Sequence, residues 1–104
     1  VGDVVYGIPS NAQWVLRIDT KTEDVQLLGP TLAGGNKYSA AVAVGDIVYG
    51  IPCNAQQVLR IDGKTEVVRL IGPMLYGNGD RYKAAVAVGD VVYGIPCNAQ
   101  QVLR

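Results

Sequence analysis

The sequence predicts an all-β fold built from repeated four-stranded antiparallel units. A phrase beginning VGD starts at Val1, Val44 and Val88, so the chain contains repeats of 43 and 44 residues. The apolar runs are short, rich in Val, Ile and Tyr, and separated by turn residues at intervals of about ten positions, which is typical of strands. No stretch shows the periodicity of a helix. These observations favour β structure along the whole of residues 1–104, as a single partial unit.

The complete middle repeat predicts four strands, joined by connectors that supply Gly, Asn, Asp or Pro for turns. The predicted strands are Tyr38–Val44, Ile47–Pro52, Gln56–Asp62 and Glu66–Ile71. A sheet with one exposed face would alternate apolar and polar residues, but "AAVAV" and "VVRLI" are apolar at nearly every position. Both faces of each sheet are therefore expected to be covered. Four-stranded units that repeat in this way are typical of propeller blades packed around an axis.

The run "AAVAVGDIVYGIPCNAQQVLRIDGKTEVVRLIGP" resembles a kelch-type propeller repeat. Its small-residue strand, Gly-Asp turn, aromatic-glycine strand and later strands follow in the order of that family. Val48, Tyr49 and Gly50 stand where the family has its aromatic residue and first glycine, and Val58–Asp62 match its third strand. The resemblance covers the whole chain and implies a kelch-like β-propeller, with about two and a half blades in this sequence.

The strand types predict self-association. If the Ala-rich strand is the first of a blade, the sequence begins in a second strand, at Val4, and reaches Arg104 in a third, which makes ten strands. A propeller ring needs at least about four blades, so we expect several copies to complete it as a homo-oligomer. A twofold homodimer of five or six blades is favoured, and a trimer, tetramer or larger ring is the alternative.

Composition limits the chemistry of the chain. Nine basic and nine acidic residues cancel, which argues against nucleic acid or a membrane surface as a partner. The chain has no histidine, and its two glutamates, Glu23 and Glu66, occupy equivalent hairpin positions. No phosphate-cradling motif is present. We therefore expect no enzyme activity, no cofactor and no metal site.

Two further features have structural interpretations. The Gly-Asn-Gly-Asp stretch at 77–80 weakly resembles a calcium loop but lacks its spacing of oxygen ligands, so a turn is expected. Cys53 and Cys97 stand at equivalent positions where the first repeat has Ser10, a pattern unlike a disulfide framework. Both are expected to be free thiols and small buried side chains at a strand end.

Charged and aromatic residues recur at equivalent positions of the repeats. Arg17, Arg60 and Arg104 share the third strand with acidic residues and predict ion pairs across strands or between blades. The recurrent tyrosines are expected in the core or between blades, and they are Tyr6, Tyr49 and Tyr93. Trp14 has no aromatic counterpart in the other repeats, so it either fills a gap at a junction or stacks on a ligand such as a sugar ring.

Topology predicts where a ligand would bind. In a four-stranded blade, the loop after strand two and the loop from strand four to the next blade emerge on the same side. Polar and aromatic side chains of these loops could hydrogen-bond to a protein or carbohydrate and stack on it, although Asn is also a good turn residue whatever the function. The candidate ligand-binding residues are Asn11, Trp14, Asn36, Tyr38, Asn54, Asp80, Arg81, Tyr82 and Asn98.

Three hypotheses of function follow from the sequence. The first is a noncatalytic propeller module that self-assembles and binds a protein or glycan through its loops. The second is a fragment or designed repeat with no function beyond self-assembly. An enzyme is the third and least favoured.

Overall fold

The structure is a computed structural model, and it describes residues 2–32, 34–75, 81–97, 99 and 101–104. These residues form nine β strands in three antiparallel sheets and no helix, which confirms the predicted all-β class. The strands are β1 (Val4–Gly7), β2 (Val15–Asp19), β3 (Val25–Leu28), β4 (Tyr38–Val44), β5 (Ile47–Pro52), β6 (Val58–Asp62), β7 (Val68–Ile71), β8 (Tyr82–Val88) and β9 (Val91–Pro96). The described residues include no helix of the length and apolar character needed to cross a membrane.

Each sheet follows the order of the chain. The first sheet has the order β1-β2-β3, the second β4-β5-β6-β7 and the third β8-β9. The two-residue turn between β4 and β5 places Gly45 at φ 58°, a left-handed conformation that glycine adopts without a steric penalty. Consecutive strands therefore pair as hairpins, and the second sheet contains the four strands expected for a complete repeat.

The predicted boundaries hold for β4 and β5, but β6 and β7 each begin two residues later than expected. Before β7, Glu66 has a φ of 61°, so it belongs to the turn rather than to a strand. Before β6, the carbonyl of Gln56 accepts a hydrogen bond from the Leu75 amide at 2.7 Å, which fixes it to a loop instead of a neighbouring strand. A turn conformation thus delays the start of β7, and a hydrogen bond to a loop delays the start of β6.

The third repeat differs most from its expected strands. Its third strand reduces to a single bridge, in which Gly94 and Leu103 exchange backbone hydrogen bonds of 2.8 and 3.1 Å. In the other sheets the corresponding strand is held on both sides, since β2 lies between β1 and β3. Among the described residues, Leu103 pairs with Gly94 on one side only. A strand that pairs on one side only forms fewer backbone hydrogen bonds with its neighbours.

The core lies between the first and second sheets, a contact that we call the first junction. Val15, Leu59 and Ile61 are completely inaccessible to solvent there. The remaining members of this cluster are Leu32, Tyr38 and Val48, with Tyr6, Ile8, Leu28, Ala55 and Val68 packed around them. Burial of these apolar side chains is the main stabilising contribution that the sheets make to one another.

At the second junction, between the second and third sheets, Val58 and Leu103 are only partly buried. Tyr49, Ile51 and Val58 of the second sheet face Val92 and Leu103 of the third across a cavity of about 340 Å³. The two junctions are built from equivalent residues, because Val58 repeats Val15 and Leu103 repeats Leu59. Ile61 and Val68 add to the packing at the first junction.

Coverage of both faces, as expected from the apolar strands, is incomplete in the first sheet. Val5, Val25 and Leu27 on its outer side are between 50% and 62% exposed. In the second sheet, β5 buries most of its residues and β6 buries Leu59 and Ile61. The expectation therefore holds best for the second sheet, which lies between two neighbours.

The hairpin turns after β2 and β6 have the same geometry. The carboxylate of Asp19 accepts hydrogen bonds from the amides of Lys21 and Thr22 at 2.9 and 3.3 Å, and Asp62 does the same at the equivalent residues. These bonds favour the charged carboxylates and hold the pKa of Asp19 and of Asp62 below its ordinary value. The repeated sequence therefore produces a repeated turn.

Arg17 and Arg60 of the third strands form ion pairs, and the pair of Arg17 crosses between sheets as the sequence predicted. Arg17 of the first sheet contacts Glu66 of the second at 2.8 Å, so this pair crosses the first junction. Arg60 and Asp62 lie 3.9 Å apart within β6. The partner of Arg17 is a turn glutamate rather than an aspartate of its own strand.

Candidate functional site

The loops predicted to share one side of the molecule do so. The amide of Leu32, after β3, donates to the carbonyl of Gln13, after β1, at 2.7 Å. The amide of Lys37 donates to the carbonyl of Ser10 at 3.0 Å. We call this side the loop face, and it comprises the described loops at 8–14, 29–32, 34–37, 53–57, 72–75 and 97.

Three candidate asparagines lie together on the loop face. The side-chain oxygen of Asn11 accepts a hydrogen bond from the Asn36 amide at 2.8 Å. Asn36 has a φ of 47°, a left-handed conformation that asparagine tolerates better than most residues. The Asn54 amide group donates to the Gly35 carbonyl at 3.4 Å, and its backbone amide donates to the Asn36 carbonyl at 2.9 Å. All three are exposed, and they also hold the loops together.

Tyr38 and Tyr82 open the first strands of the second and third sheets and point into the molecule. Tyr38 is 3% exposed, and its hydroxyl donates to the Gln57 carbonyl at 2.9 Å. The hydroxyl of Tyr82, which is also buried, donates to the Gln101 carbonyl at 3.3 Å. Burial raises the pKa of Tyr38 to about 12, because an ionised phenolate would be poorly solvated there. Both hydroxyls hold backbone segments together.

Arg81 has a similar role at the second junction. It is buried, and one guanidinium nitrogen donates to the carbonyls of Cys53 and Ala55 at 3.3 and 3.0 Å. Its equivalent in the preceding repeat, Lys37, is also buried and donates its ammonium to the Gly34 carbonyl at 2.6 Å. These cations satisfy loop carbonyls from inside the loop face.

The other candidates divide into described and undescribed residues. Trp14 is 37% exposed at the end of the loop that precedes β2. Its equivalent, Gln57, donates its side-chain amide to the Gly72 carbonyl at 2.9 Å, so the two positions have different chemistry. The remaining candidates, Asp80 and Asn98, lie outside the described residues, as does the 77–80 turn.

A groove of about 420 Å³ lies on the loop face. Asn54 and Tyr38, both candidates from the sequence, contribute to its lining. The other lining residues are Thr31, Leu32, Lys37, Ala55, Gln56, Gln57, Leu70 and Met74. Backbone and side-chain amides beside the apolar Leu70 and Met74 provide both hydrogen-bonding and nonpolar contacts.

Sequence reasoning missed the glutamine and methionine side chains of this groove. Gln56 directly follows Ala55 in the "CNAQQ" loop, so its neighbourhood to Asn54 was a usable signal. Met74 replaces Thr31 of the first repeat and was harder to find, because its position shows only when the second sheet is folded.

The cysteines and acidic residues do not add a second site. Cys53 is buried and Cys97 is exposed, with no disulfide between them, so the expected burial is correct for Cys53 and wrong for Cys97. The difference follows from position, since Cys53 lies under Arg81 of the next repeat. Within the described ranges, no three acidic or cysteine side chains are grouped as a metal site would need.

A scan of protein-family models, a search of curated proteins and a search of solved structures each returned no match to this chain.

Proposed function

We propose that the chain is a noncatalytic module of kelch-like propeller blades that associates with further copies of itself and binds a protein or glycan through its loop face. In this proposal the three sheets are successive blades. Three observations support it: the four-stranded order of the second sheet, the face-to-face packing of neighbouring sheets, and loops gathered on one side.

The groove carries the binding part of the proposal. It lies beside exposed amides at Asn54 and Gln56, which can donate to hydroxyl or carbonyl oxygens and accept from hydroxyl or amide groups. A sugar or an extended peptide offers such groups at short intervals. The exposed methionine, Met74, adds an adaptable nonpolar contact at the same place.

The exposed outer side of the first sheet carries the self-association part. Val5 of β1 and Val25 and Leu27 of β3 are exposed there, and Ile18 of the intervening β2 pairs with both Val5 and Val25, so the apolar surface is continuous. A contiguous apolar surface of this kind favours association in water. The absence of histidine from the sequence supports a noncatalytic role.

The second candidate function is self-assembly alone. The observation that favours it is the use of the loop asparagines within the molecule, since Asn11 bonds to Asn36 and Asn54 bonds to Gly35. In this case the hydrogen bonds of the loop face would only hold the loops together, and the face would bind no ligand.

A glycan array and a peptide array on the purified 104-residue chain separate the two candidates. A bound sugar or peptide would then be titrated against Gln56→Ala, which removes a groove side chain, and against Gln13→Ala. Gln13 is the equivalent residue of the first repeat and does not line the groove. We expect about tenfold weaker binding for Gln56→Ala and no change for Gln13→Ala. An equal effect of both variants would place the ligand elsewhere, and no binding on either array would leave self-assembly alone.

A further inference from the structure

We propose that copies of this chain associate head-to-tail, with the outer side of the third sheet of one copy packed on the outer side of the first sheet of the next. This inference rests on the self-association proposed above and specifies which surfaces meet. The head face comprises Val5, Leu16, Ile18, Val25 and Leu27. The tail face comprises Tyr93, Ile95, Val102 and Arg104, the last of which also lines the edge of the cavity at the second junction.

The head face has a buried counterpart within the same chain. Val5 pairs with Ile18, and Ile18 pairs with Val25, so these side chains lie on one side of the first sheet. The equivalents of these three residues are Val48, Ile61 and Val68, all part of the first junction. Val48 is 7% exposed, whereas Val5 is 50% exposed. The head face is therefore the same surface without its neighbour.

The tail face has a counterpart on the other side of that junction. Tyr6, Ile8 and Val15 pack there against the second sheet, and they correspond to Tyr93, Ile95 and Val102 of the third repeat. Val15 is completely buried, whereas Val102 is 56% exposed. The side chains that complete a junction in one part of the chain thus face solvent in another.

The first junction defines how the two faces would meet. It joins a tail-type surface of one sheet to a head-type surface of the next, and these two surfaces consist of different residues. A second copy presents both surfaces with the same side chains. The contact is therefore heterologous, and repetition of it gives a closed ring or an open filament rather than a self-complementary pair.

An ion pair within the first junction indicates which charged residues would meet across this contact. Arg17 on the tail side of the first sheet reaches Glu66 of the second sheet at 2.8 Å. Their equivalents are Arg104 on the tail face and Glu23 beside the head face. Glu23 and Glu66 have the same φ of 61°, and both follow a turn closed by an aspartate carboxylate. Arg104 of one copy is thus placed to pair with Glu23 of the next.

Blocking each face separately tests the proposal. Val5→Asp places a charge on the head face, and Val102→Asp places one on the tail face. Burial of an unpaired carboxylate in an apolar contact is strongly unfavourable, so each variant alone should sediment as a monomer where the unmodified chain is an oligomer. Val67→Asp is the matched control, because Val67 is also exposed and Asp24 is its natural equivalent. Circular dichroism would verify that all three variants keep their β structure.

A mixture of the two blocked chains gives the decisive result. The Val5→Asp chain keeps its tail face and the Val102→Asp chain keeps its head face, so equimolar mixing should produce a heterodimer that grows no further. A contact made by two copies of one face would behave differently, since one variant would then associate by itself and mixing would add nothing.

Exchange of charges tests the orientation at residue level. Arg104→Glu alone and Glu23→Arg alone should each weaken self-association about tenfold, and a chain with both changes should recover it. Unchanged oligomer mass in both blocked variants would overturn the head-to-tail contact while leaving self-association intact. A monomeric unmodified chain at every concentration would overturn both proposals.

Discussion

The first and second junctions are made from equivalent residues, yet these residues are buried to different extents. At the first, Val15 and Leu59 lose all contact with solvent. At the second, their equivalents Val58 and Leu103 line a cavity of about 340 Å³. Ile61 and Val68 pack beside the buried pair at the first junction. Identical side chains therefore stabilise the fold by different amounts, according to what covers them.

Truncation of the central leucine should show this difference most strongly. Leu59→Ala leaves a cavity in a closed core and should lower the free energy of unfolding by about 3 kcal/mol. Leu103→Ala removes the same atoms beside an existing cavity and should cost about 1 kcal/mol. Urea unfolding of both variants measures the two losses. Equal losses would mean that the junctions are equally packed in solution.

The glycines after β3 and β7 provide the next comparison. Gly29 and Gly72 have positive φ values of 82° and 79°, so alanine should strain both by about 1 kcal/mol. At Gly29 a new Cβ would also lie 2.7 Å from the Cβ of Val68, whereas at Gly72 it meets nothing within 4 Å. We expect Gly29→Ala to destabilise the chain by about 2 kcal/mol more than Gly72→Ala in thermal unfolding.

The same pair has an internal control. Val68→Gly removes the obstructing Cβ together with its methyl groups, so in that background most of the excess loss at Gly29 should disappear. Persistence of the full excess would assign it to the backbone of the turn instead of the junction.

Ionisation of Tyr38 provides a test of the first junction in alkaline solution. Burial raises the pKa of Tyr38 from 10.0 to about 12, so between these pH values the unfolded chain loses the proton while the folded chain keeps it. The contribution of this protonated hydroxyl to stability is complete below pH 10 and is lost as the pH rises through 12. Tyr38→Phe should reduce the alkaline decline in unfolding free energy by about 2 kcal/mol.

Tyr82→Phe, at the second junction, removes the corresponding hydroxyl and provides the comparison. Denaturant titrations across this pH range would measure both variants and the unmodified chain. An alkaline decline that Tyr38→Phe leaves unchanged would contradict the assignment to this group.

The ion pair should have the smallest effect. Arg17→Gln breaks the 2.8 Å contact with Glu66 across the first junction and should cost about 1 kcal/mol. Arg60→Gln affects a contact of 3.9 Å within one strand and should cost less than about 0.5 kcal/mol. Added salt should reduce the difference between them. Urea unfolding at low and high salt measures both quantities, and equal losses would show that crossing the junction adds nothing.

The fold of the second sheet could be predicted closely because local signals were unambiguous. Gly45 and Asp46 mark the turn between β4 and β5, and the bounds of both strands agree with the expectation. The late starts of β6 and β7 could not be predicted, since they depend on Glu66 adopting a positive φ and on the hydrogen bond from Leu75 to Gln56. Contacts that exist only in the folded chain determine where β6 and β7 begin.

The candidate site was predictable in position and less so in composition. The sequence located the loops that hold Asn11, Asn36 and Asn54, because strand order determines which loops share a side. It also suggested Tyr38 and Arg81 as surface residues, and both are buried with hydrogen bonds to backbone carbonyls. Polar residue type does not distinguish a group that faces a ligand from one that satisfies the chain itself.

The backbone bonds between successive repeats have an evolutionary consequence. The amides of Lys37 and Arg81 bond to the carbonyls of Ser10 and Cys53, each at 3.0 Å. Main-chain atoms make these links, so the register survives exchange of lysine for arginine, of serine for cysteine, and a connector lengthened by one residue. A duplicated gene segment would therefore encode the backbone groups that bond it to the preceding repeat. The number of repeats could change without compensating side-chain substitutions.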